Sequence, residues 1–167
     1  MGKDQDAVAR IVASWGEERP DLDASPMLVV GRLQRVTQLL DAELRPPFAA
    51  AGLGQGDFDV LAALRRAGPP YARSPSELRD ALMVTSGAIT KQVDRLVAKG
   101  LVSREVDPSD GRGRRVALID AGHAVVDELI GTHLDNERRL LSPLKTAQQA
   151  QLAGLLGILA EALEGDR

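Results

Sequence analysis

The residues best suited to chemistry lie in the middle of the chain. At 100° per residue, a helix over MVTSGAITKQVDRLVAKG would set Gly87, Lys91, Asp94, Arg95 and Ala98 opposite the apolar stripe Ile89, Val93, Leu96 and Val97. Ser86, Gly87, Thr90 and Lys91 would occupy its first turns. Two hydroxyls and an ammonium there can hydrogen-bond base edges or phosphates, and Gly87 and Ala88 let the backbone approach a groove. A few residues later, Asp110, Arg112, Arg114 and Arg115 crowd the loop DPSDGRGRR. Arginines at a hairpin tip are drawn to the negative potential of a minor groove. Asp110 and Arg112 also suit a loop ion pair, which could hold the guanidinium in a DNA-facing pose.

Other chemistries fare worse. The chain has two His and no Cys, so disulfides, thiolate zinc sites and cysteine nucleophiles are excluded. His123 and His133 are about 80° apart around one helix and cannot chelate as an i, i+4 pair; a surface or interface role is expected for both. GLGQGD lacks the preceding strand and the spacing of a phosphate-binding loop. No acid, base and nucleophile converge in the sequence, so no enzyme, cofactor or metal is expected.

Net charge is −3, which by itself argues against a nucleic-acid binder. The distribution reverses that: between Arg73 and Arg115 nine basic residues face six acidic ones. The opening MGKDQDAVARIVASWGEERPD is polar, and no window approaches the roughly 20 apolar residues of a membrane span. A soluble, cytoplasmic, nucleoid-associated protein without membrane contact is expected.

Helical periodicity dominates, and 2% aromatic residues leave little for a sandwich or barrel. A first amphipathic helix is predicted from about Asp4 to Glu18. A second starts at Ser25-Pro26 and ends before Pro46-Pro47. Asp57 is expected to cap a third, and Ser74-Pro75-Ser76-Glu77 reads as a capping box opening a very short helix. After the polar-faced helix, stopped by Gly100, LVSREV and RRVALI are expected to form a hairpin. A long helix from about Ala121 to Leu140 and a Thr146-capped helix carrying Leu152, Leu155, Leu156, Leu159 and Leu163 complete the chain. The fold class is mainly α with a small β-hairpin wing, a winged helix-turn-helix in which Ser76 to Leu82 and Ser86 to Lys99 form the helix pair.

The run PSELRDALMVTSGAITKQVDRLVAKGLVSREVDPSDGRGRRVALIDAG resembles the MarR (multiple antibiotic resistance regulator) family over about Val29 to Leu163. The resemblance implies a ligand-responsive repressor, an obligate homodimer held by the first and last family helices. It also implies a recognition helix containing Ser86, Gly87, Thr90, Lys91 and Arg95, and a wing arginine at Arg112. Many members carry two arginines after the wing aspartate; here Gly111 replaces the first. WGEERPDLDASPM resembles the N-terminal extension of a subgroup that includes urate-responsive regulators.

The expected organisation is an N-terminal helical extension at 1–24, dimerisation helices at 25–50 and 120–167, and a DNA-binding lobe at 51–119. Expected DNA contacts are Ser74, Ser86, Gly87, Thr90, Lys91, Arg95, Asp110, Arg112 and Arg114. The expected partners are double-stranded DNA, a second copy of the chain, and a small aromatic or anionic effector near Trp15, between the N-terminal helix and the DNA-binding lobe. The rival reading is a winged-helix module that binds another protein and no specific DNA.

Overall fold

The computed structural model describes residues 6–106 and 113–165. The elements run α1 (Ala7–Glu18), α2 (Pro26–Ala50), α3 (Gln55–Arg66), β1 (Ala72–Arg73), α4 (Pro75–Leu82), α5 (Ser86–Ala98), β2 (Val102–Val106), β3 (Arg114–Leu118), α6 (Asp120–Leu141) and α7 (Thr146–Gly165). By packing, the chain falls into two compact units that divide between Pro46 and Pro47.

In the first unit, α1 opens on Asp6, whose carboxylate accepts the Ala9 N–H at 2.8 Å and meets the Arg32 guanidinium at 2.8 Å. The same side chain thus caps one helix and fastens it to the next. The expected end of α2 before Pro46-Pro47 is wrong: the helix runs through both prolines to Ala50. The two missing amides forfeit the bonds to Ala42 and Glu43. What outweighs that loss is Phe48, buried one residue beyond and stacked on Phe58 with ring centroids 4.3 Å apart.

The second unit holds the core. Val60, Leu61 and Leu64 of α3 pack with Leu78 of α4, Ile89, Val93 and Leu96 of α5, Val116 of β3 and Val126 of α6. Each such side chain contributes about 1.5–3 kcal/mol by leaving water, so three turns of α5 are pinned along one stripe. Val97, assigned by periodicity to that stripe, is 39% exposed at its edge. Gly100, at φ +66°, provides the left-handed turn that ends α5 and sends the chain into β2.

The expected hairpin forms with Val102 opposite Leu118 and Val106 opposite Arg114. A third strand was not foreseen: β1 pairs antiparallel with β3, Ala72 opposite Ala117, giving the order β1-β3-β2. Two residues are too few to show a period. Helix α3 begins earlier than expected, at Gln55, so Asp57 is its third residue and not its cap; its carboxylate reaches back to the Gly54 N–H at 3.1 Å. At α7, Thr146 is likewise the first helical residue, and the Gln148 side chain accepts the Lys145 N–H at 2.9 Å.

Candidate nucleic-acid interface

The capping box that opens α4 is present in both directions. Ser74 Oγ accepts the Glu77 N–H at 3.2 Å, and Glu77 Oε2 accepts the Ser74 N–H at 2.7 Å, with Pro75 in the first helical position. The Ser74 amide and the Arg73 guanidinium together hold the Glu77 carboxyl below its usual range. Helix α4 ends at Met83, in the left-handed conformation, and Thr85 caps α5 by accepting the Ala88 N–H at 3.3 Å.

Six exposed residues with distinct fates lie on the polar side of α5. Arg95 turns back into the protein: its guanidinium is forked onto Asp57, Nη2 to Oδ1 at 2.6 Å and Nε to Oδ1 at 3.0 Å. Asp94 meets Arg104 of β2 at 2.5 Å. Ser86 and Gly87 are exposed, and the Thr90 hydroxyl, also exposed, donates to the Ser86 carbonyl at 3.0 Å. Lys91 is exposed and makes no ion pair among the described residues. The rear half of the helix is therefore tied to α3 and to the wing, while the front half faces solvent with two hydroxyls, a glycine and one cation.

The remaining wing residues divide. Arg114 is exposed at the start of β3, and Arg115 donates to the Ala72 carbonyl at 2.9 Å, tying the middle strand β3 to β1. Asp110 and Arg112 lie outside the described residues.

A relative matches this chain along nearly its full length. The HTH-type transcriptional regulator PecS of Dickeya dadantii is 41% identical over 160 residues, 96% of this chain and 96% of that protein. Residues 51–113 match the MarR family model. The chain belongs to the MarR family. Among solved structures of that family, a single-site mutant of MarR from E. coli complexed with operator DNA superposes with a TM-score of 0.71 at 31% identity, covering 87% of this chain and 96% of that one. Bordetella bronchiseptica BpsR, whose DNA binding is regulated by 6-hydroxynicotinic acid, has a TM-score of 0.72 at 26% identity, covering 79% and 92%. The MarR family and these relatives are transcriptional regulators, not enzymes.

Within this MarR-family chain several site residues have no sequence signal. Asp57 and Arg95 are 38 positions apart. Gln92 lies over Gly56, where an added Cβ would come 2.1 Å from Gln92 Nε2, so the glycine lets α5 approach the first turn of α3. Arg65 of α3 is forked onto Asp127 of α6 at 2.7 and 3.3 Å and lies 5.2 Å from the Tyr71 ring centre, while His123 meets that ring edge-on at 4.4 Å. His133, assigned above to a surface or interface, packs instead against Phe48 and Phe58 and meets Glu137 at 3.1 Å. No group of three or more metal-ligating side chains occurs among the described residues, and none of their helices is long and apolar enough to cross a membrane.

Trp15, on α1, is 44% exposed. It lines a concavity of about 240 Å³ with Leu22, Asp23, Ala24 and Met27. Every lining residue belongs to α1, the turn after it or the first turn of α2. Ser25 amide and hydroxyl hold the Asp23 carboxyl below its usual range, so this wall is negative at neutral pH.

Proposed function

We propose that this chain is a sequence-specific repressor that binds an inverted-repeat operator as a homodimer and is released by a small aromatic effector. One observation carries the DNA reading: the front of α5 presents Ser86, Gly87, Thr90 and Lys91 to solvent while its rear is locked by Arg95–Asp57 and Asp94–Arg104. A helix held rigidly from behind, with its first turns open and a wing beside it, has the form required to enter a major groove. Ser74 at the α4 N-terminus and Arg114 at the wing are suited to phosphate contacts, and Asp110 and Arg112 join them by sequence. The reading assigns the chain no catalytic step and a place in the cytoplasm with the nucleoid.

The solved complex of the E. coli relative with operator DNA supports the partner, and the regulation of BpsR by 6-hydroxynicotinic acid supports the effector. Two-fold symmetry would place half-site centres about 10 bp apart, one helical turn. The test is a mobility-shift series on DNA flanking the chain's own gene. Lys91→Ala should lower operator affinity by about 1–3 kcal/mol and relax preference at one base pair, and affinity should fall steeply with salt. Salt-insensitive behaviour, or equal affinity for a single half-site, would replace this reading with that of a protein-binding module.

A further inference from the structure

The turn between α4 and α5 holds a residue placed against its own preferences. Met83 adopts φ +53° and ψ +39°, a left-handed conformation that favours glycine or asparagine. Its side chain is 81% exposed, the most exposed of the large apolar side chains described. The backbone has a reason for this shape, since the Met83 N–H closes α4 on the Arg79 carbonyl and the chain must then enter α5 at Thr85. The side chain has none within the fold. Glycine would relieve the strain, and a polar residue would suit the exposure. A lone exposed apolar residue needs no explanation, but one that is also backbone-strained does, and such outliers cluster at functional sites.

We propose that Met83 is an apolar DNA contact that reads a thymine methyl at the edge of the recognition-helix footprint. The proposal rests on the DNA-binding reading above. Met83 is two residues from the Thr85 cap and three from Ser86, both exposed, so the surface presenting Ser86, Gly87, Thr90 and Lys91 continues onto it. The hydroxyls and the ammonium supply hydrogen bonds, and that face otherwise lacks a large apolar group to recognise the one apolar feature of the major groove, the thymine C5-methyl. An unbranched thioether is well suited: it is polarizable, and its free rotation allows it to settle against a methyl or a sugar.

The experiment compares the full chain with Met83→Gly and Met83→Asn, both compatible with the left-handed turn. Thermal melting and affinity for the wild-type operator are measured, followed by affinity for operators in which each thymine in turn is replaced by deoxyuridine. Both variants should melt at or above the parent temperature and bind about tenfold more weakly, the effect of one to two methylene groups left in water. One deoxyuridine should weaken the parent while leaving Met83→Gly unaffected. The proposal is overturned if Met83→Gly binds within twofold of the parent, if it melts lower, or if no deoxyuridine position is coupled to residue 83. Failure of the parent to bind any duplex would count against the DNA-binding reading itself.

Discussion

The Asp57 carboxylate, 2% exposed in the first turn of α3, receives both the Gly54 N–H and the fork of Arg95, which extends from the third turn of α5. One side chain therefore closes a helix end and fastens α5 to the first turn of α3.

The two halves of this pair should respond unequally. Arg95→Ala leaves a buried carboxylate with only the Gly54 amide, and uncompensated buried charges are strongly destabilising. Because half of the Arg95 side chain is in water, the expected loss is about 2–3 kcal/mol, below that of a fully buried pair. Asp57→Asn keeps the shape and removes the charge, for about 1 kcal/mol. Urea denaturation checks both. If Arg95 read a base instead, Arg95→Ala would lose discrimination at one base pair with its urea midpoint unchanged.

Two other carboxylates should give stability opposite dependences on pH. Burial pushes the Asp59 carboxyl above its ordinary 3.8, with the Gln55 amide and the charges of His133 and Arg66 opposing. The folded chain then binds this proton more tightly than the unfolded chain, so its contribution to stability falls as pH rises from 3.8 through the folded value. Asp59→Asn should raise the melting temperature at pH 7, and that gain should vanish below about pH 3.8. Asp127 is the reverse case: the Arg65 guanidinium lowers its pKa, giving stability present above 3.8 and lost as pH falls through the folded value. Asp127→Asn should therefore melt lower at pH 7. Melts across pH 3–7 decide, and a lower melting temperature for Asp59→Asn at pH 7 would refute the assignment.

How legible the site was depends on how local its physics is. The box at Ser74–Glu77, the stripe Ile89, Val93 and Leu96 and the stop at Gly100 depend on neighbours within a few residues, so spacing alone located α4, α5 and the turn beyond. The Asp57–Arg95 fork and the Gly56–Gln92 approach join segments more than 30 positions apart, and no periodicity encodes which exposed arginine turns inward. Pro46-Pro47 misled for the same reason: local rules end a helix there, and a tertiary contact at Phe48 keeps it. The exposed apolar faces of α2 and α7 were legible as stripes, but a single chain does not contain what covers them.

Helix α7 tests that last point. Leu155 is 59%, Ile158 69% and Leu163 61% exposed, and a stripe of large apolar side chains left in water is the pattern of a face buried by other protein. Removal of 146–167 should leave a monomer in sedimentation velocity that has lost affinity for the inverted repeat. The core of the second unit draws no buried side chain from α7, so the helical circular-dichroism signal of the remainder should persist. A truncated chain that stays dimeric would assign the interface to α1 and α2 alone.

The concavity at Trp15 allows the sharpest spectroscopic prediction of the effector proposal, because Trp15 is the only tryptophan in the chain. Its ring forms one wall of the concavity with Leu22, Ala24 and Met27, and an aromatic guest there would stack on the indole and change its emission. Asp23, ionised at neutral pH, forms the opposing chemistry. A carboxylate on the wall repels an anion and tolerates a neutral ring, so the pocket narrows the expected class from aromatic or anionic to uncharged aromatic. Neutral purines and phenols should therefore quench Trp15 at lower concentration than urate, salicylate or 6-hydroxynicotinate, and Asp23→Asn should bring the anions level. For release from DNA the ligand must favour the free form; a 100-fold preference corresponds to about 2.7 kcal/mol of coupling. Titrations by fluorescence, paired with operator release by the parent and Trp15→Phe, check both steps. If the anions quench first, or if Trp15→Phe releases DNA at the parent's ligand concentration, Trp15 only docks α1 and the effector binds elsewhere.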